Sequence, residues 1–320
     1  MKIFITGIAG FIGFHTAKKL HSLGHDVQGI DSYNDYYDVS LKRARASILT
    51  DLGVEVIEFN LTSDSFKFYK NAHYLTTPQP SLVDVDCVIH LAAYAGVRYS
   101  LDNPKLYIEN NIIGTQNLID RCEKDGVTKI LYASTSSVMN GNPVPWDEDT
   151  KLYNQKHPYG YSKVVNESQF QMSSIENTIG MRFFTVYGPW GRPDMALFDF
   201  TKNIIAGNPI EVFNNGDMVR DFTYVDDIVN GIMILLSAGG KDIYNIGRGE
   251  KVQLMDFIHQ IELHLNRKAL LKMAPMHPAD SKETWSNTTK LKKLGYAPKI
   301  SITEGVSKFV AWYKDYYKVR

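Results

Sequence analysis

The chain has 320 residues, with 35 basic and 35 acidic side chains and a formal net charge of zero. The length allows one large domain or two smaller ones, and the balanced charge argues against a nucleic-acid-binding surface. No apolar run reaches the ~20 residues of a membrane span, the N-terminus lacks a signal-peptide pattern, and two cysteines in apolar surroundings, Cys87 and Cys122, predict free thiols and a cytoplasmic location.

Short apolar runs alternate with helical patterns over the first 140 residues. A helix is expected over 10–24, ending at Gly24, and another over 106–126. Strand-and-helix alternation implies crossover connections, so the sequence predicts an α/β fold with a doubly wound parallel sheet. The predicted strands are KIFIT (2–6), DVQGID (26–31), VEVIEFN (54–60), CVIHLAA (87–93), KILYAST (129–135), GMRFF (180–184) and IYNIG (243–247).

The pattern changes after Thr185. The segment VYGPWGRPDM (186–195) carries two prolines and two glycines and predicts a loop. A helix (198–207), a hairpin-like segment (210–225), a helix (226–239) and a smaller C-terminal α/β lobe follow. We therefore expect one domain from residues 1–183 with 222–248 and a second from 184–221 with 249–320.

The segment TGIAGFIG places Gly7, Gly10 and Gly13 directly after the first strand and at the start of a helix. Glycines in this position let backbone N–H groups approach a pyrophosphate at the helix N-terminus. Asp31 ends the second strand, 18 residues after Gly13, where a carboxylate suits the ribose hydroxyls of a dinucleotide and repels a 2′-phosphate. The pattern predicts a Rossmann-type domain that binds NAD rather than NADP.

Two tyrosines and one lysine lie in HPYGYSKVVNE (157–167). Tyr159 is four residues before Lys163 and shares its helical face, whereas Tyr161 points elsewhere. A phenol, with an ordinary pKa near ~10, is a poor base at neutral pH. A neighbouring ammonium and an oxidised nicotinamide favour the phenolate, which can then take a proton from a substrate hydroxyl. Tyr159 and Lys163 are therefore the predicted catalytic pair.

Several motifs together resemble the extended short-chain dehydrogenase/reductase family of NAD-dependent nucleotide-sugar epimerases and dehydratases. They are TGIAGFIG, HLAA, NNIIGT, ASTSS, the Tyr159–Lys163 pair and RDFTYVDD. Within that family, DSYNDYYDVSLKRAR, AGVRYSLDNP, RFFTVYGPWGRPDMA and VRDFTYVDDIVNGI are similar to the UDP-glucuronate 4-epimerases. The resemblance covers nearly the whole chain and implies a C-terminal substrate lobe.

The resemblance also implies a set of functional residues. Thr135 would join the catalytic pair by bridging the sugar hydroxyl and the tyrosine. Asn111 would support the active-site helix, and His90 would lie beneath the cofactor. The NAD-binding residues would be Gly7, Gly10, Phe11, Ile12, Gly13, Asp31, Asn60, Leu61, Leu91, Ala92, Ala93, Tyr159 and Lys163.

The implied substrate contacts lie in several segments of the chain. Ser136 and Ser137 would hold the C6 group of the sugar; related 4,6-dehydratases carry Asp and Glu there, which argues against an ordinary 4,6-elimination. Thr185 stands where galactose-type epimerases have Asn, which favours an acidic sugar. Arg192 and Arg220 would bind phosphate or carboxylate groups. Asp280 would bind the uridine ribose, and Arg98 is a further implied substrate contact.

Four residues depart from the family pattern. Met139 and Asn140 replace the Tyr and Gly of the usual SSVYG, and we expect Asn140 to take over the left-handed turn. Asn60 stands where an Asp often contacts adenine, and Tyr94 replaces a polar residue. Met139 and Tyr94 are expected near the sugar.

The sequence as a whole predicts an NAD-dependent 4-epimerase that converts UDP-glucuronate to UDP-galacturonate through a 4-keto sugar. The alternatives are a nucleotide-sugar dehydratase (4,6- or 5,6-elimination), a 4-epimerase for another nucleotide sugar, and an NAD-binding sensor without activity. The resemblance further implies a homodimer, formed by the helices around 104–124 and 159–175. No metal, nucleic acid or membrane partner is expected.

Overall fold

The computed structural model describes residues 1–63, 80–152 and 155–319 of the chain. A seven-stranded parallel sheet, in the order β11-β6-β5-β4-β1-β2-β3, forms its centre. The strands, numbered in chain order, are β1 (Lys2–Thr6), β2 (Asp26–Asp31), β3 (Glu55–Glu58), β4 (Cys87–His90), β5 (Lys129–Thr135), β6 (Asn177–Phe183) and β11 (Lys241–Ile246). The prediction of a Rossmann-type α/β fold is confirmed.

The order of the strands explains where a ligand can bind. Strand β1 lies between β2 and β4, so Ile3 pairs with both Val27 and Cys87. The chain therefore passes to opposite sides of β1 in its successive crossovers, and this reversal opens a crevice at the carboxyl ends of the strands. Thr6, at the end of β1, lies at that edge.

Helices pack against the strands of this sheet and bury its apolar side chains. Phe4, Ile130 and Phe170 belong to one buried apolar cluster and are fully inaccessible to solvent. The helix predicted over 106–126 has three parts, because a π-helical segment interrupts it in the middle. The helices are Phe11–Ser22, Val39–Asp51, Val97–Asp102, Pro104–Tyr107, Ile108–Ile113 (π), Gly114–Asp125 and Pro158–Met172.

The remaining strands form three two-stranded sheets. Strands β7 (Thr185–Tyr187) and β10 (Phe222–Tyr224) pair in parallel, β9 (Val219–Arg220) and β12 (Val252–Gln253) pair antiparallel, and β8 (Pro209–Phe213) pairs in parallel with β13 (Leu270–Ala274). The predicted hairpin over 210–225 is wrong, because its strands pair with strands distant in the chain. The accompanying helices are Ala196–Ala206, Val225–Leu235, Leu254–Leu265, Thr289–Lys292 and Ile302–Tyr317.

The chain divides into two units by its contacts. The first unit comprises Met1–Val138, Gln155–Arg182 and Ile232–Tyr244; the second comprises Met139–Asn154, Phe183–Gly231 and Asn245–Arg320. Relative to the domains expected from the sequence, the second unit additionally contains 139–154, 183, 222–231 and 245–248. None of the helices within the described residues has the length and apolarity that crossing a bilayer requires.

Candidate active site

The glycine turn lies at the carboxyl end of β1. Gly7 adopts φ +72°, and a Cβ added there would be 2.8 Å from the backbone nitrogen of Ala92. The Gly10 N–H donates to the Gly7 oxygen (2.9 Å), and a Cβ on Gly13 would collide with that same oxygen. The turn is therefore pressed against the backbone that follows β4, and only glycine fits at both ends of it.

The first turn of the helix Phe11–Ser22 follows directly and contains the predicted Phe11, Ile12 and Gly13. Leu91 and Ala92 are fixed beside it, because Leu91 N–H donates to the Thr6 oxygen (3.0 Å) and Ala92 N–H to the Thr6 hydroxyl (3.3 Å); Ala93 follows them. The first N–H groups of a helix have no partner within the helix. The glycine turn and the helix N-terminus together therefore form a site that fits a pyrophosphate.

Asp31 ends β2 and is tied to the glycine turn. Its carboxylate accepts the N–H groups of Ala9 (3.1 Å) and Tyr33 (2.9 Å). Burial raises the pKa of the Asp31 carboxyl, and the cations of Lys42 and Arg45 oppose that shift. A carboxylate has about four acceptor positions, so capacity for two ribose hydroxyls is left.

Asn60 closes a turn after β3. Its Oδ1 accepts both the N–H and the hydroxyl of Thr62, each at 3.0 Å. Leu61 is fixed by its carbonyl, which accepts from the Asn117 side chain (2.8 Å). The carboxamide oxygen of Asn60 thus stabilises the turn, and the amino group of the same side chain is the donor that can bind an adenine.

The predicted catalytic pair lies on the helix Pro158–Met172, which begins after the His157 cap; the His157 ring accepts the Gly160 N–H at 2.9 Å. Tyr159 is 8% exposed and Lys163 only 2%, whereas Tyr161 is 52% exposed. The structure thus gives Tyr159 and Lys163 a common buried face, as the spacing predicts.

Lys163 reaches back to the central sheet. Its Nζ donates to the carbonyl of Ala133 in β5 (3.0 Å). Burial lowers the pKa of the Lys163 ammonium to about 8, while the carboxylate of Glu167 acts in the opposite direction. The lysine therefore loses its proton at a lower pH than an exposed lysine does.

Thr135 is the last residue of β5, so it lies at the carboxyl edge of the sheet. Its hydroxyl oxygen accepts the Ser137 N–H (3.2 Å), which shapes the short 3₁₀ turn Ser136–Met139. Thr135 and Ser136 are buried, and Ser137 is half-buried. The three hydroxyl residues follow one another at the edge where the glycine turn also lies.

A buried ion pair that the sequence analysis missed lies one turn beyond the lysine. Glu167 accepts two hydrogen bonds from the Arg182 guanidinium, both at 2.9 Å, and one from the Ser134 hydroxyl at 2.5 Å. Both charged side chains are at most 6% exposed. The i+4 spacing after Lys163 was the available signal, because it places Glu167 on the catalytic face.

Hydrogen bonds from Asn111 fasten the segment before Arg98. Asn111 holds Tyr94 through two hydrogen bonds to its backbone, both at 2.9 Å, and donates to Ser162 on the catalytic helix (3.0 Å). The supporting role predicted for Asn111 agrees with these contacts. Tyr94 is therefore held by its backbone, and its side chain joins an aromatic cluster.

Tyr107 clamps the same segment two residues later. Its hydroxyl donates to the Gly96 carbonyl (2.7 Å) and accepts the Gly96 N–H (3.1 Å). Its fully buried ring packs edge-on against Tyr159, with centroids 6.1 Å apart. Arg98 follows on the short helix Val97–Asp102 and is exposed.

His90 ends β4 and is part of the packing. Its ring hydrogen-bonds the hydroxyls of Thr6 (2.7 Å) and Thr115 (2.9 Å). Burial, with a contribution from the Lys163 charge, lowers the pKa of His90 to about 3, so the ring is neutral. This is consistent with a place beneath the cofactor and not with acid–base catalysis.

The other predicted substrate residues lie in the second unit. Thr185 and Arg192 line one hollow there, and Arg192 forms a two-bond ion pair with Asp194 (3.0 and 2.5 Å). Arg220 donates to the carbonyls of Val219 (2.8 Å) and Lys282 (3.1 Å). Asp280 is half-buried and lies two residues before Lys282.

The structure corrects the expectation for the turn at 139–141. Gly141, not Asn140, adopts the left-handed conformation, with φ +87°. Met139 is fully inaccessible to solvent, and Asn140 is 5% exposed. The substituted residues therefore pack inside the protein, and the glycine one position later makes the turn.

Comparison with known proteins gives one consistent result. The model of the NAD dependent epimerase/dehydratase family matches residues 3–247. Protein CapI of Staphylococcus aureus is 42% identical over 99% of this chain and 100% of its own length, and UDP-glucuronate 4-epimerase of Thermodesulfobacterium geofontis is 39% identical over 97% and 95%. The crystal structure of UDP-glucuronic acid 4-epimerase from Bacillus cereus with UDP-glucuronic acid and NAD has a TM-score of 0.89 at 31% identity, over 99% of this chain and 100% of that one. The chain belongs to the NAD-dependent epimerase/dehydratase family.

Proposed function

We propose that the protein is an NAD-dependent 4-epimerase that interconverts UDP-glucuronate and UDP-galacturonate. The observation that carries the proposal is the buried face of the catalytic helix, where Tyr159 and Lys163 lie in the same unit as the glycine turn. The similarity to UDP-glucuronate 4-epimerases over nearly the full chain supports the choice of substrate.

The residues around the glycine turn are assigned to the cofactor. Gly7, Gly10 and the first helical turn hold the pyrophosphate, Asp31 the adenosine ribose, and Asn60 the adenine. Leu61, Leu91, Ala92 and Ala93 complete the walls. NAD, when bound, supplies a reversible acceptor for the hydride at C4 of the sugar.

Tyr159 is the group that moves a proton. Its phenolate oxygen takes the proton of the C4 hydroxyl and returns it when the 4-keto sugar is reduced on its other face. The Lys163 ammonium stabilises that phenolate, because an adjacent positive charge favours the ionised phenol. The Thr135 hydroxyl bridges the phenol and the sugar.

The residues that bind the substrate are assigned by their charge and hydrogen-bonding groups. Arg98, Arg192 and Arg220 suit the anionic groups of a UDP-sugar acid, since a guanidinium pairs with carboxylate and phosphate in two-bond geometry. Thr185, Ser136 and Ser137 hold the sugar, and Asp280 the uridine ribose. Serine hydroxyls at 136 and 137 do not titrate near neutral pH, which favours epimerisation over a 4,6-elimination.

We further propose a cytoplasmic homodimer. Ile108, Ile113 and Tyr161 are 45%, 41% and 52% exposed, on the helices expected to meet a second copy. Large apolar side chains exposed on neighbouring helices indicate a contact surface. The two free, buried cysteines are consistent with a reducing compartment.

The test is NMR of the sugar product after incubation of purified protein with UDP-glucuronate in D2O, without added NAD. UDP-galacturonate without deuterium at C4 is expected, because the hydride returns to the carbon it left. Tyr159→Phe is expected to abolish turnover with NAD still bound, and Tyr161→Phe, an exposed tyrosine, serves as the control. Deuterium at C4, a product lighter by the mass of water, or full activity of Tyr159→Phe would contradict the proposal.

A further inference from the structure

The residues 280–287, here called the strap, lie in the second unit and connect through isolated bridges to Val219 and Trp146. On one side, Val219 N–H and Arg220 Nη1 both donate to the Lys282 carbonyl (3.0 and 3.1 Å). On the other side, Trp146 N–H donates to the Trp285 carbonyl (2.8 Å). The strap therefore carries Asp280 at its beginning and binds the guanidinium of Arg220 two residues later.

The far end of the strap is anchored at Asp221. This carboxylate is fully buried and accepts the N–H (3.1 Å) and the hydroxyl (2.5 Å) of Ser286. It also accepts the N–H groups of Arg248 (2.9 Å) and Gly249 (3.1 Å). A buried carboxylate with this many donors holds its surroundings in one arrangement.

The near end is anchored by Asn140. The Ser281 hydroxyl donates to Asn140 Oδ1 at 2.9 Å, and Asn140 is 5% exposed. Ser281 directly follows Asp280. Asn140 stands where the family pattern has a glycine, which has no side chain to accept this bond. A hydrogen bond to a buried acceptor is retained, because breaking it leaves a desolvated polar group.

We propose that Asn140 is a positioning residue for the nucleotide end of the substrate. By fixing the strap at Ser281, it sets Asp280 for the ribose hydroxyls and, through the Lys282 carbonyl, Arg220 for the phosphates. The inference rests on the proposed function, which assigns Asp280 and Arg220 to the nucleotide. It explains why a departure from the family pattern is buried and hydrogen-bonded.

The experiment measures the affinity of NAD-loaded protein for UDP by calorimetry, together with kcat and KM for UDP-glucuronate. Asn140→Ala and Ser281→Ala are each expected to weaken UDP binding and raise KM about 3- to 10-fold, the factor that one lost hydrogen bond supplies. The kcat should change less than KM, because the reacting carbon is held by other residues.

The double variant Asn140→Ala/Ser281→Ala is expected to bind UDP no more weakly than the weaker-binding single variant, since both single substitutions break the same bond between Ser281 and Asn140. Ser281→Thr retains the hydroxyl and should keep UDP affinity. Asn142→Ala is the matched control, because the Asn142 side chain donates to the carbonyls of Met139 and Lys151 in its own loop.

The variant Asp280→Ala distinguishes an error in the proposed function from an error in the role of Asn140. If it leaves UDP affinity unchanged, the nucleotide site of the proposed function is wrong and the inference falls with it. If Asp280→Ala weakens UDP binding but Asn140→Ala and Ser281→Ala do not, the inference alone is wrong. Variants that lower the melting temperature at unchanged UDP affinity would likewise show a purely structural role for the bond.

Discussion

Replacing Lys163 by methionine tests the claim that the catalytic lysine is kept charged against the preference of its surroundings. Burial lowers the pKa of this fully buried ammonium from 10.5 to about 8. At ~1.4 kcal/mol per pKa unit, the charged form costs about 3 kcal/mol of folding free energy at neutral pH. Methionine removes that cost but also removes the bond from Nζ to the Ala133 carbonyl, worth about 1 kcal/mol. The variant should therefore be inactive and about 2 kcal/mol more stable at pH 7.

The stability difference between the wild type and Lys163→Met should depend on pH. Because the folded-state pKa of Lys163 lies below the unfolded value, the wild type gains stability as the pH rises from about 8 to about 10.5. The advantage of Lys163→Met should thus fall by about 2 to 3 kcal/mol between pH 7 and pH 10. Urea unfolding of both proteins at the same saturating NAD concentration measures this, with the exposed Lys19→Met as control. A difference that does not change with pH would refute the reasoning.

Three further variants address other parts of the site. Gly13→Ala should bind NAD at least 10-fold more weakly, since its Cβ collides with a carbonyl of the turn; fluorescence titration of the purified protein measures it. Arg182→Met should lower the free energy of unfolding by about 3 to 5 kcal/mol, because it leaves Glu167 buried without its cation. A double variant that also replaces Glu167 by leucine should recover most of this loss, and urea unfolding measures both. Tyr107→Phe, which keeps the ring but loses both bonds to Gly96, should raise KM for UDP-glucuronate more than it lowers NAD content, and an unchanged KM would contradict the clamp.

The central sheet could be predicted because its signals are local. Strands β1, β2 and β5 have the bounds of the apolar runs KIFIT, DVQGID and KILYAST. These strands are largely buried, so their apolar character is continuous along the chain. The pairing of β8 with β13 was missed, because the two strands are separated by about 60 residues and neither pattern identifies its partner.

The same distinction between local signals and long-range contacts applies to the candidate active site. The glycine turn and the Tyr159–Lys163 pair have fixed spacings over a few residues of the chain, and the structure reproduces both geometries. The Glu167–Arg182 pair joins a helix to a strand, and the hydrogen bond from Ser281 to Asn140 joins segments 141 residues apart. Contacts of this kind depend on tertiary packing, which a single sequence does not encode in its periodicity.

The catalytic helix shows how the fold maintains an unfavourable charge. Tyr159, Lys163 and Glu167 recur every four residues and are all buried, so the helix places an ammonium and a carboxylate on the same face as the phenol. An unpaired Glu167 would strengthen the hold on the lysine proton, since its charge already raises the pKa of Lys163. Arg182 neutralises Glu167 through two hydrogen bonds and so limits that effect. Burial can then lower the pKa of the Lys163 ammonium towards physiological pH, and a small change in the charge of its surroundings alters the stability of the phenolate it serves.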